Sequence, residues 1–141
     1  TVVLHCTELP DLATARTFIE SMKALGCRFA LDDFGAGMSS FGYLKNLPVD
    51  YLKIDGSFVK DIVEDRIDRA MVETIHRIGH ITGKKTIAEF VENDAILEAL
   101  REIGVDYAQG YGVAPPRPLA DFRHAARRGA TAAAPPLRRV V

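Results

Sequence analysis

Five short apolar runs recur along the chain, each closed by polar residues and followed by a stretch of different period. They are Val2-Val3-Leu4 before His5, Arg28-Phe29-Ala30-Leu31 before Asp32-Asp33, and Asp50-Tyr51-Leu52 before Lys53-Ile54-Asp55. Lys85-Thr86-Ile87-Ala88 before Glu89 and Val105-Asp106-Tyr107-Ala108 before Gln109 complete the set. Runs this short and this apolar suit parallel strands covered on both faces. The stretches between them read as helices. Leu12, Ala15, Phe18, Ile19, Met22 and Leu25 fall on one face of a helix over 12–25. Ala70, Met71, Ile75, Ile78 and Ile81 do the same over 67–82, and Ile96, Leu97, Leu100 and Ile103 follow a cap at Asn93 or Asp94. Gly26, Gly83 and Gly104 stand just behind these helices, where a left-handed residue closes the last turn.

Strand and helix alternating at this rhythm predict parallel βα units, an α/β fold. An open doubly wound sheet and a piece of a (β/α)8 barrel both fit the pattern. The rhythm fills residues 1–120 and stops there, leaving 121–141 as a basic Ala/Arg/Pro-rich tail that reads as disordered. The chain has 141 residues and opens in a strand-like run without Met, as if cut from something longer.

Composition narrows the class. At 48% hydrophobic and 26% charged, this is the balance of an ordinary soluble globular protein. No apolar run approaches the roughly 18 residues of a spanning helix, and no signal peptide is visible, so a cytoplasmic location is expected. Cys6 and Cys27 have no C-x-x-C partner and read as two reduced buried thiols. The formal charge of −1 is uneven: the tail holds five Arg against one Asp, and the rest is acidic. The tail reads as a solvated end, with no DNA or RNA polymer as partner.

Chemistry in parallel α/β folds gathers at the C-terminal ends of strands. Here those ends carry His5, Asp32, Asp33, Lys53, Asp55, Glu89 and Gln109. Buried carboxylates are costly unless they are paired or hold a cation. Their convergence with one lysine suits a divalent metal and metal-assisted hydrolysis or lyase chemistry; helix caps and salt bridges are the plainer alternative. Gly35-Ala36-Gly37 leads through Ser39 and Ser40 toward a helix, as a tight loop or a phosphate cradle. His76 and His80 lie four apart on a predicted helix and read as a half-buried pair, because no third ligand is placed beside them.

Four blocks carry a family resemblance. Gly26 to Gly35 resembles the D-D-F-G signature of EAL domains, and Leu47 to Gly56 resembles their K-I-D signature. Thr86 to Glu92 is similar to the A-E-x-V-E block, and Tyr107-Ala108-Gln109-Gly110-Tyr111 to the Q-G-Y block. The resemblance spans about residues 1–120. It implies a partial (β/α)8 TIM-like barrel of about five parallel strands with its N-terminal half missing, since a whole barrel takes about 250 residues. It also implies a phosphodiesterase that hydrolyses cyclic di-GMP to linear pGpG with two Mg²⁺ or Mn²⁺ ions. By resemblance, Asp32 and Asp33 bind metal, Lys53 holds the attacking water or the scissile phosphate, and Glu89 binds metal or acts as base. Gln109 becomes a substrate contact, Gly35 to Ser40 (with Ser39) a loop over substrate and metals, and Glu8 the anchor of that loop.

Three departures bear on activity. The strand-end Glu-Ala-Leu that names the family is absent, and Glu98-Ala99-Leu100 lies inside a predicted helix, where Glu98 is a decoy. The family's asparagine ligand is absent as well. His5 replaces the first Glu of E-x-T-E in His5-Cys6-Thr7-Glu8. The chain therefore reads as an incomplete phosphodiesterase module, inactive alone. The alternative is a degenerate EAL module that binds cyclic di-GMP or a partner protein without turnover. Further expected partners are a second copy of the chain or an upstream sensory domain.

Overall fold

The computed structural model describes residues 2–4, 11–36, 40–116 and 138–139. Its strands are β1 (Val2–Leu4), β2 (Phe29–Phe34), β3 (Tyr51–Ile54), β4 (Lys85–Ala88), β5 (Tyr107–Ala108) and β6 (Arg138–Arg139). Its helices are α1 (Leu12–Ala24), α2 (Ser40–Asn46), α3 (Gly56–Lys60), α4 (Arg66–Ile81) and α5 (Asp94–Ile103). The strands pair in parallel in the order β1-β2-β3-β4-β5-β6. This order separates the two architectures left open above. A doubly wound sheet reverses direction at a switch point, whereas consecutive strands of a barrel are always neighbours. The sheet is a barrel segment.

The core lies between the sheet and its helices. Phe29, Leu31, Leu52, Ile54 and Ala88 from the strands pack with Ile19 of α1, Val72 and Ile75 of α4 and Leu100 of α5. Each is essentially solvent-free, and burying a side chain of Leu, Ile or Phe size contributes about 1.5–3 kcal/mol. Gly79 lets α4 lie close to the sheet, since a Cβ there would stand 2.8 Å from Thr86 Cγ2.

Helix starts follow the sequence. Asp11 Oδ1 accepts from Thr14 N at 2.8 Å, Asp65 caps α4, and Asn93 Oδ1 accepts from Ile96 N at 3.0 Å. Gly104 closes α5 at φ 91°. Strand starts are clipped by a repeated device. Asp50, just before β3, accepts from Phe29 N of β2 at 2.9 Å and from Lys23 Nζ at 2.7 Å. Asp106, just before β5, accepts from Thr86 N of β4 at 2.9 Å. An aspartate ahead of one strand thus pins the first residues of its neighbour.

Some expectations need correction. The second strand runs on through Asp32 and Asp33 to Phe34, so that pair lies inside a strand. α3 and β6 were not anticipated: elements of five and two residues are too short for periodicity to reveal. Cys27 is a free thiol and only half-buried. Of the tail, Arg138–Arg139 is described as a strand against β5, and the remainder lies outside the described residues. Asp106 stands beside His76 and His80, so that pair does have a third potential ligand; the fold brings it from 26 positions beyond His80.

Candidate active site

At the C-terminal rim of the sheet, β2, β3 and β4 deliver three side chains to one point. Lys53 Nζ lies 2.5 Å from Asp32 Oδ1 and 2.7 Å from Glu89 Oε1. All three are largely removed from solvent, with side-chain exposures of 8% for Asp32, 11% for Lys53 and 13% for Glu89. A carboxylate oxygen of Asp33 joins the group: one oxygen from each of Asp32, Asp33 and Glu89 lies within 4.8 Å of the other two.

Consecutive strand residues ordinarily face opposite sides of a sheet. Asp32 and Asp33 share one site because β2 is irregular there. Leu31 pairs with Leu52 and Phe34 with Ile54, so β2 spends one residue more than β3 over that interval. Asp33 takes φ 49°, a left-handed conformation that Asp tolerates better than most residues. The bulge turns the second carboxylate toward the first.

Burial works against a charged Lys53, but its hydrogen bonds to Asp32 and Glu89 outweigh that and hold its pKa above the ordinary lysine value. Burial pushes the Glu89 carboxyl up, opposed by Lys53. No buried side-chain polar atom among the described residues lacks a partner.

Gln109 follows β5 on the same rim. Its N–H donates to Ala88 O at 2.9 Å and its carbonyl accepts from Val91 N at 3.1 Å. Its exposed side chain lines a cleft of about 220 Å³ with Glu89, Phe90, Glu92, Gly110 and Tyr111. Asp32, Asp33, Lys53 and Glu89 therefore form one cluster, and Gln109 shares a cleft with Glu89. Gly35 sits apart in role. At φ 107° it turns the chain beneath Phe58 and Ile75, where a Cβ would stand 2.9 Å from Phe58 Cε2 and 2.8 Å from Ile75 Cδ1. Ser40 begins α2. His5, Glu8 and Ser39 lie outside the described residues. Asp55 is a helix cap, accepting from Ser57 N at 2.7 Å. Glu98 is exposed on α5, paired with Arg101 at 2.9 Å.

Phe90 and Tyr111 were not singled out from the sequence. Phe90 adopts φ 53° and is 63% exposed, its ring lying over Gly56, which has no Cβ to obstruct it. An aromatic residue directly after a strand-end glutamate was the available signal.

The EAL domain family model matches residues 1–116. The chain belongs to the EAL domain family. It is 49% identical over 120 residues to the cyclic di-GMP phosphodiesterase PdeB of Shewanella oneidensis, covering 85% of this chain and 14% of that protein. The crystal structure of the EAL domain of Mycobacterium smegmatis DcpA superposes with a TM-score of 0.81 at 30% identity, over 93% of this chain and 60% of that one. The cyclic di-GMP complex of the PaMucR phosphodiesterase superposes at 0.76 with 34% identity, over 85% of this chain and 49% of that one. The chain thus spans about half of a solved EAL structure. Its acidic cluster is a possible metal-binding group of this EAL segment.

Proposed function

We propose that this chain is part of a cyclic di-GMP phosphodiesterase domain and contributes the Asp32-Asp33-Lys53-Glu89 side of its catalytic centre. The observation that carries this is the meeting of three carboxylates and one ammonium at the C-terminal rim of a barrel segment. The donor set fits hard divalent cations, Mg²⁺ or Mn²⁺, which take carboxylate oxygens. Asp32, Asp33 and Glu89 would hold them, and Lys53 only partly neutralises that group. When bound, such cations supply Lewis acidity to a phosphodiester and lower the pKa of a water.

Lys53, kept protonated by its two carboxylate partners, is a point charge suited to a phosphate oxygen or to orienting a water. Glu89, 2.7 Å from Lys53 Nζ, is placed either to hold a cation or to act as general base. The Gln109 cleft is smaller than the about 300–1,000 Å³ typical of whole-ligand pockets, so it takes one portion of a cyclic dinucleotide. Its aromatic members Phe90 and Tyr111 suit the flat face of a base. The same reading places the chain in the cytoplasm, with cyclic di-GMP converted there to linear pGpG.

The E-A-L glutamate and the asparagine of the family have no counterpart among these 141 residues, and negligible pGpG formation is expected from them alone. A binding module without catalysis is the second reading, and His5 in place of a glutamate favours it. Calorimetry of the chain with cyclic di-GMP and Mn²⁺ tests the site, and chromatography for pGpG tests turnover. Binding should weaken about tenfold or more in Lys53→Ala and Gln109→Ala, a loss of about 1.4 kcal/mol or more. Affinity unchanged in both variants would refute the site, and normal metal-dependent pGpG formation would refute the expectation of negligible turnover.

A further inference from the structure

The opposite rim of the sheet carries a second cluster. α4 runs back along the strands, so its last turns lie near the starts of β4 and β5. His76 and His80, one turn apart on α4, present their rings with centroids 4.3 Å apart. Asp106 reaches them from just before β5, with His80 Nε2 3.0 Å from Asp106 Oδ2. One nitrogen of each histidine and one oxygen of Asp106 all lie within 4.8 Å of one another.

The support around this trio is fixed. Thr86 is fully buried on β4; its hydroxyl meets His76 Nδ1 at 2.8 Å and donates to Asp106 Oδ2 at 3.2 Å, while its N–H donates to the same oxygen. Lys85 Nζ lies 2.7 Å from Asp106 Oδ1. The strand clip described above explains Asp106 and Thr86, as Asp50 performs it at β3 with no histidine involved. It does not explain why two imidazoles converge on the clip.

We propose that His76, His80 and Asp106 form a second metal site, selective for a borderline transition-metal dication of the Zn²⁺ class. Two imidazoles four residues apart on a helix with one carboxylate are a three-ligand set that zinc accepts, the fourth position being left to water. Nitrogen donors separate it from the all-oxygen cluster on the other rim, which suits Mg²⁺ or Mn²⁺. A bound ion would tie α4 to the start of β5. The cluster lies away from the proposed catalytic rim, so the site stands or falls independently of the phosphodiesterase reading.

Co²⁺ is the probe, added to the full 141-residue chain in excess Mg²⁺ so that the acidic rim is occupied. Visible d–d absorption of low-coordinate Co²⁺ should saturate at one equivalent and vanish on adding Zn²⁺, which binds more tightly. It should be lost in His76→Gln and in His80→Gln, and retained in the double variant Asp32→Asn/Glu89→Gln. Zn²⁺ should also raise the melting temperature of the parent chain but not of His80→Gln, whose altered side chain is half exposed and leaves the fold intact. No absorption in the parent chain, its persistence in His80→Gln, or its loss in the acidic-rim variant would each overturn the proposal.

Discussion

Lys53 satisfies two carboxylates from neighbouring strands at once, so its removal leaves Asp32 and Glu89 facing each other with little solvent. Breaking a buried ion group by deleting one partner costs about 3–5 kcal/mol. Lys53→Met should lose about that much in urea unfolding without divalent cations, and Mg²⁺ should recover more stability in the variant than in the parent. Asp50 gives a pH test. Burial alone would raise its carboxyl, but Lys23 and the Phe29 N–H lower it below the usual aspartate value. A carboxylate with a depressed folded pKa stabilises above its unfolded value and loses that contribution as pH falls through the folded one. Acid unfolding of the parent should therefore be steeper below about pH 4 than that of Asp50→Asn, which starts less stable at neutral pH. At this scale the polar residues that end the apolar runs were readable from sequence, because each interrupts an apolar pattern, but which of them meet was not: Asp55 proves to be a helix cap. Nor was the orientation of Asp33, since it depends on one left-handed φ.

The longest elements were the most legible. α1, α4 and α5 match their apolar stripes closely, because caps and glycines mark their ends. α3 has five residues, under two turns, and no stripe could announce it. Asp106 escaped notice as a partner of His76 and His80 because only the packing of α4 against β4 and β5 brings it near. α4 contributes most through Val72 and Ile75, both buried against the sheet. Ile75→Ala should cost about 2–5 kcal/mol, read from the midpoint of chemical unfolding at unchanged slope. The exposed Ile81→Ala on the same helix should cost under about 0.5 kcal/mol.

As a whole, the sheet of the described residues is open, with β1 at one edge and β6 at the other. Strand edges without a partner among the described residues, and exposed apolar side chains such as Phe18, Leu25 and Ile67, favour association. Sedimentation should show concentration-dependent self-association, and a single monomer at all concentrations would contradict this. The barrel architecture became certain only with the strand order, which local periodicity does not encode. What joins these scales is the claim that the acidic rim binds hard divalent cations. The most direct test is the loss of the free Mn²⁺ electron-spin resonance signal on titration into the chain, in a His80→Gln background that silences the opposite rim. The account predicts saturable binding that disappears in Asp32→Asn/Glu89→Gln; equal Mn²⁺ uptake with and without those carboxylates would contradict it.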